Sequence, residues 1–257
     1  MDPVHRPLRI YFLLAFGITW GAGGLGLLVG AFGVWDPGRH MHPLHLLAAF
    51  GPSIAGVVMA AATGGWTAIR RMFARVVPRW AGLPWYLAVI VVYPAAGLAA
   101  TWLMARESLA HVPSWDRMLI LVPMTLVTDT GPLGEEFGWR GFALPRMLDR
   151  RRPLAAAVIL GVIWFAWHLP TFFIPTLSQS HLSIPLFLVN SVSLSILMTW
   201  LYLRTGGDLL LMILVHLIAN YSSSIGIPFP AEVSAQVVMA TIVIAAGGLS
   251  DELKYLS

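Results

Sequence analysis

From Ile10 to Val34 the chain runs without one charged side chain. A bilayer core needs about 20 mostly apolar residues per helix, so this run is long enough to cross one. Its GxxxG spacings, Gly17/Gly21 and Gly26/Gly30, read as ordinary small-residue packing. It is too long for a signal-peptide core, and no small-residue cleavage site follows it. The pattern recurs along the 257 residues, giving eight candidate spans at about 8–34, 43–63, 83–105, 118–145, 153–174, 183–203, 208–227 and 232–249. Hydrophobic residues make up 58% and charged residues 11%. Soluble chains carry about 25% charge, so both a soluble domain and a disordered chain are excluded. The absence of cysteine removes a disulfide scaffold, a thiolate metal site and a Cys nucleophile. The expected fold is all-α: a polytopic membrane protein of about eight transmembrane helices, enclosing an inward-facing polar cavity.

Charge placement orients this bundle. With the N-terminus inside, twelve of the sixteen basic residues fall in inner segments, three outside (Arg39, Arg106, Arg117) and one, Arg140, within a span. The positive-inside rule then predicts a multi-pass protein of the cell membrane with both termini cytoplasmic. It also explains the basic isoelectric point without nucleic acid, since the inner leaflet is anionic. There is no linker, charge run or internal repeat, so residues 1–257 read as a single transmembrane domain.

Away from the ends of the predicted spans, six ionisable residues remain: Asp129, Glu135, Glu136 and Arg140 in the fourth, His168 in the fifth and His216 in the seventh. Such groups are costly at membrane depth and mark functional sites. Pro132, with Gly131 and Gly134, is expected to break or kink the helix just before the acids. Glu136 and Arg140 stand four residues apart, in the order that favours an ion pair. Glu135 is offset by about 100° and points elsewhere, leaving it to face a cavity. Asp129 has a cavity-lining or structural role on this reading. Trp164 lies one turn before His168 and packs beside it. His216 and Asn220 share a helix face. At 1.5 Å per residue, Glu135, His168 and His216 lie about 16, 22 and 12 Å from the arginine-rich side, which suggests one site in the inner half of the bilayer.

A carboxylate, two imidazoles and a carboxamide suit amide hydrolysis. Glu135 can take a proton from water as general base, and the Asn220 amide can donate to an oxyanion. Alternatively, Glu135, His168 and His216 are a candidate ligand set for a divalent metal such as zinc, which would lower the pKa of a bound water. Both routes fit the residues. Ser222, Ser223 and Ser224 read as helix-end residues. His40, His42 and His45 read as an ordinary loop.

The three motifs Glu135-Glu136-xxx-Arg140, Trp164-xxx-His168 and His216-xxx-Asn220, on successive predicted helices, resemble the CPBP family of CAAX-processing intramembrane endopeptidases and their bacterial homologues. The resemblance covers about 118–225. It implies that Glu135 activates the water with His168 assisting, that His216 and Asn220 are the oxyanion-side pair, and that Glu136 and Arg140 support them. The family pattern often has Phe where this chain has Trp164. A single lysine, Lys254, among many arginines suggests a high-GC bacterium, and hence a peptide or membrane-protein substrate. A proton-coupled transporter and a catalytically silent immunity or binding protein are the alternatives.

Overall fold

The computed structural model describes residues 6–31, 43–78, 82–114, 116–117 and 129–250. The first half of the fourth predicted span (118–128), Arg39, His40, His42, Lys254 and both chain ends lie outside the described residues.

Ten α-helices are described and no strand among them. They are α1 (Arg6–Ala31), α2 (Pro43–Ala49), α3 (Gly51–Ala74), α4 (Leu83–Met104), α5 (Gly131–Gly138), α6 (Leu144–Leu148), α7 (Pro153–His168), α8 (Ile184–Arg204), α9 (Leu209–Tyr221) and α10 (Phe229–Ala245). Five segments are long and apolar enough to cross a membrane: α1, α3, α4, α7 with the turn that follows it, and α8. The shorter α9, extended by a turn to Ile225, and α10 are apolar as well. This is a multi-pass, all-α membrane protein. Large apolar side chains such as Leu13, Leu28, Leu87, Val91 and Leu103 stand exposed on α1 and α4, as a lipid-facing surface requires.

The second predicted span, 43–63, divides differently. Pro52 lies in the first turn of α3, where its missing N–H costs nothing, so a separate helix starts at Gly51 after the short α2. That helix runs on to Ala74, interrupted at Gly65 (φ 60°, ψ −157°).

α1 packs on α3 and α3 on α5, while α7 packs on α8, α8 on α10 and α10 on α4. α9 touches α5, α4 and α8, so the helix carrying His216 and Asn220 is internal to the bundle. Close approach of α5 to the α2–α3 corner depends on two glycines. A Cβ on Gly134 would come within 2.5 Å of the Ala49 carbonyl oxygen, and one on Gly138 would overlap the Pro52 carbonyl. Pro132 opens α5 in its first turn, as its fixed φ favours. A π-helical turn, Trp139–Ala143, then follows without a break. Such turns are rare and cluster at functional sites. All five of its residues are buried, Arg140 included.

Candidate active site

Glu135 opens the second turn of α5 and is 4% exposed. Its Oε2 accepts two indole N–H groups, from Trp164 at 2.6 Å and Trp139 at 3.2 Å. Trp139 reaches it from one turn along the same chain segment, and Trp164 from α7. Oε1 carries no hydrogen bond among the described residues. It lies toward Gly131, where a Cβ would meet Asp129 Oδ1, Asn220 Nδ2 and Glu135 Oε1 at 3.1, 3.5 and 3.6 Å. Glycine there keeps the space beside the carboxylate open.

Glu136 points the other way and is fully buried. Its Oε1 accepts from Arg140 Nη1 at 2.9 Å and pairs with His216 Nδ1 at 2.8 Å. The guanidinium also lies 4.5 Å over the Trp164 ring, a favourable seat for a desolvated cation. The expected pairing of Glu136 with Arg140 is present, and it also captures His216. Removing one member of such a buried set strands the others, so these residues fix each other.

His168 is the last residue of α7. Its Nδ1 lies 2.9 Å from the Trp164 carbonyl. A carbonyl only accepts, so Nδ1 carries the hydrogen and Nε2 keeps its lone pair. The ring packs edge-on against Trp167 and Phe187, with centroids 4.6 and 5.2 Å away, and Trp164 is its third aromatic neighbour at 6.0 Å. Asn220, near the end of α9, donates from Nδ2 to Asp129 Oδ2 at 2.9 Å. Asp129 Oδ1 accepts the Gly131 N–H at 3.0 Å. One amide hydrogen of Asn220 is thereby anchored and its second is left for another acceptor.

Glu135, His168, His216, Asn220 and Asp129 all line one cavity of about 940 Å³. Glu136 and Arg140 stand behind its wall. The wall is drawn largely from the helix ends away from the arginine-rich turns. Glu135 is close to the start of α5, His168 ends α7, Asn220 nearly ends α9, and Phe229 and Glu232 begin α10. Trp20 in the second half of α1 closes the same end by donating to the Trp167 carbonyl at 3.0 Å. At the other end, Arg75 binds the Gly207 carbonyl and Tyr202 hydroxyl at 2.8 and 2.6 Å.

A metal reading requires Glu135, His168 and His216 to converge. Among the described residues no three His, Asp or Glu side chains gather as a metal-holding group. Glu135 also commits one oxygen to two N–H donors. This donor set does not fit a three-ligand metal site.

Three features escaped sequence reading. The indoles of Trp139 and Trp164 act as hydrogen-bond donors, not only as packing. Asp129 anchors Asn220. Glu232, which opens the last predicted span and was not singled out, is 6% exposed on α10 and lines the cavity. Its spacing from Gln236, four residues on in an apolar helix, was the available signal.

Residues 117–222 match the family model described as Type II CAAX prenyl endopeptidase Rce1-like. Over 110 residues the chain is 26% identical to CAAX prenyl protease 2 of Methanococcus maripaludis, covering 40% of this chain and 41% of that protein. Over this core the chain is similar to CAAX prenyl endopeptidases. The match spans about two fifths of that relative's length, and residues 117–222 contain all three motifs.

Proposed function

We propose that this chain is a CPBP-family member and an intramembrane endopeptidase of the CAAX prenyl protease type, with Glu135 as general base. The observation that supports it most is the division of labour at Glu135, with Oε2 clamped by two indoles and Oε1 left toward the cavity. A carboxylate fixed through one oxygen presents the other in a defined direction, which general-base catalysis needs.

A water beside Oε1 gives its proton to Glu135 as its oxygen attacks the peptide carbonyl carbon. The resulting oxyanion accepts the free amide hydrogen of Asn220 and an Nε2–H of His216. For the latter, His216 carries a hydrogen on each ring nitrogen. Glu136 supports that state, because two glutamates, Arg140 and an imidazolium balance in charge. When the intermediate collapses, the proton held by Glu135 passes to the leaving amine nitrogen, directly or through the His168 Nε2 lone pair, as the C–N bond breaks. No step is routed through a metal. The substrate is a peptide or a membrane-associated polypeptide segment.

The orientation follows from charge. Both termini are cytoplasmic by the twelve-to-three division of basic residues. The cavity then faces the opposite, arginine-poor side.

The test is comparative peptidomics of cells carrying the wild-type chain or Glu135→Gln. Peptides that depend on the wild type disappear with the variant while the protein stays inserted at equal level. Persistent cleavage by Glu135→Gln removes Glu135 from the role of base. Proton flux in liposomes without any such peptide favours a transporter.

A further inference from the structure

Among the described residues, three carboxylates line the cavity: Asp129, Glu135 and Glu232. Each is hydrogen-bonded by neutral donors. Asp129 holds a backbone N–H and the Asn220 amide, and Glu135 holds two indoles. Glu232 Oε1 accepts the Tyr93 hydroxyl at 3.0 Å and Gln236 Nε2 at 3.3 Å. Gln236 Nε2 in turn donates to Tyr93 at 2.7 Å, which fixes this second polar cluster between α4 and α10. Among the described residues no lysine or arginine lines the cavity; the basic groups there are His45, His168 and His216. Arg140 pairs with Glu136 behind the wall, and the His216 imidazolium is held by the same carboxylate, so neither faces Glu232 in a described contact.

A buried carboxylate held only by neutral groups is costly unless a cation completes it. The Ser222 hydroxyl is a third neutral partner of Glu232, and the carboxylate also borders the cavity. It stands on the helix after the one carrying His216 and Asn220, beside rather than within the reacting set. We propose that the cavity selects a peptide segment bearing a cationic side chain, and that Glu232 is its recognition carboxylate. This rests on the cavity being the peptide site. It adds a specificity that the hydrolytic residues do not supply.

The test separates recognition from turnover. The full-length chain is reconstituted in phosphatidylcholine vesicles, whose neutral surface does not itself attract cationic peptides. Fluorescent peptides of one sequence, with lysine or its neutral isostere norleucine scanned through the positions, are titrated onto His168→Ala, which keeps all three wall carboxylates. At one position at least, lysine is expected to bind about tenfold or more tightly, the scale of a hydrogen bond to a charged partner. Adding Glu232→Gln brings that ratio toward one. Glu232→Asp, which keeps the charge, retains more of it and decides the matter should the glutamine variant not insert.

Equal binding of lysine and norleucine peptides overturns the proposal, as does a ratio that Glu232→Gln leaves unchanged. Parallel cleavage by the wild type distinguishes the two readings. Cleavage without lysine preference rejects Glu232 and leaves the peptidase. Lysine-selective binding that depends on Glu232, without cleavage, rejects the peptidase and leaves the cationic site.

Discussion

Trp164 donates its indole N–H to Glu135 Oε2 at 2.6 Å, across 29 residues of chain and from a different helix. The family pattern's phenylalanine at this position has no such hydrogen to give. Here the tryptophan places the carboxylate while its ring seats Arg140 and stacks edge-on to His216 at 5.0 Å. Trp164→Phe keeps the ring and deletes the donor. We expect kcat to fall about tenfold to a hundredfold, since hydrogen bonds to charged groups contribute about 1.5–3 kcal/mol. Trp139→Phe, with the longer 3.2 Å bond, falls less. Steady-state kinetics on inserted protein decides it, and an unaltered kcat in Trp164→Phe removes the indole from the catalytic geometry.

Asp129 and Asn220 form the second long-range pair, joined at 2.9 Å over 91 residues. Asp129→Ala frees the Asn220 amide to rotate away from the oxyanion. The expected loss is in kcat, about tenfold to a hundredfold and smaller than for Asn220→Ala, with KM little moved. A change in KM alone means that Asp129 only shapes the wall.

Much of this was legible in the chain. Apolar run lengths located α1, α4, α7 with its following turn, α8, α9 and α10 to within a few residues, because a bilayer imposes length directly. The i, i+4 spacing of Glu136/Arg140 and His216/Asn220 correctly separated the glutamate behind the wall from the one facing the cavity. The α2–α3 break was marked by Pro52 but overridden by the apolar count. Indole donors were illegible because tryptophan in an apolar helix reads as packing, and whether its N–H meets a carboxylate depends on another helix's rotation.

The donor geometry also makes a prediction about metals. Glu135 is committed to two N–H groups, and no three acidic or imidazole side chains converge among the described residues. Cleavage is therefore expected to survive dialysis against a strong zinc chelator. Elemental analysis of the active protein is expected to find well under one zinc per chain. Loss of activity on chelation with recovery on zinc addition would restore the Glu135, His168 and His216 ligand set.

Gly138 tests how tightly the motif helix must lie on α3. Its α-carbon faces the Pro52 carbonyl so closely that a methyl group cannot enter without moving one helix. Overpacking of this kind costs about 1–3 kcal/mol. Gly138→Ala should lower the thermal midpoint in detergent by several degrees. It should also reduce activity, because α5 carries Glu135. A midpoint equal to wild type shows that the helices part freely, and that α5 is not positioned by this contact.

Orientation is the remaining consequence, and the absence of cysteine makes it directly measurable. Ser178 is exposed in the connection after α7, which lines the cavity and contains no Asp, Glu, Lys or Arg from 169 to 183. Arg151 is exposed in the arginine-rich turn before α7, at the other end of that helix. Single-cysteine variants at these two positions place one label on each end of the bundle. With an impermeant maleimide on intact cells, Ser178→Cys should react and Arg151→Cys should react only after lysis. That result places the cavity mouth outside the cytoplasm, so that substrates reach Glu135 from the outer half of the bilayer. The reverse labelling puts the arginine-rich turns outside. It would mean that the twelve-to-three charge division does not set this chain's topology.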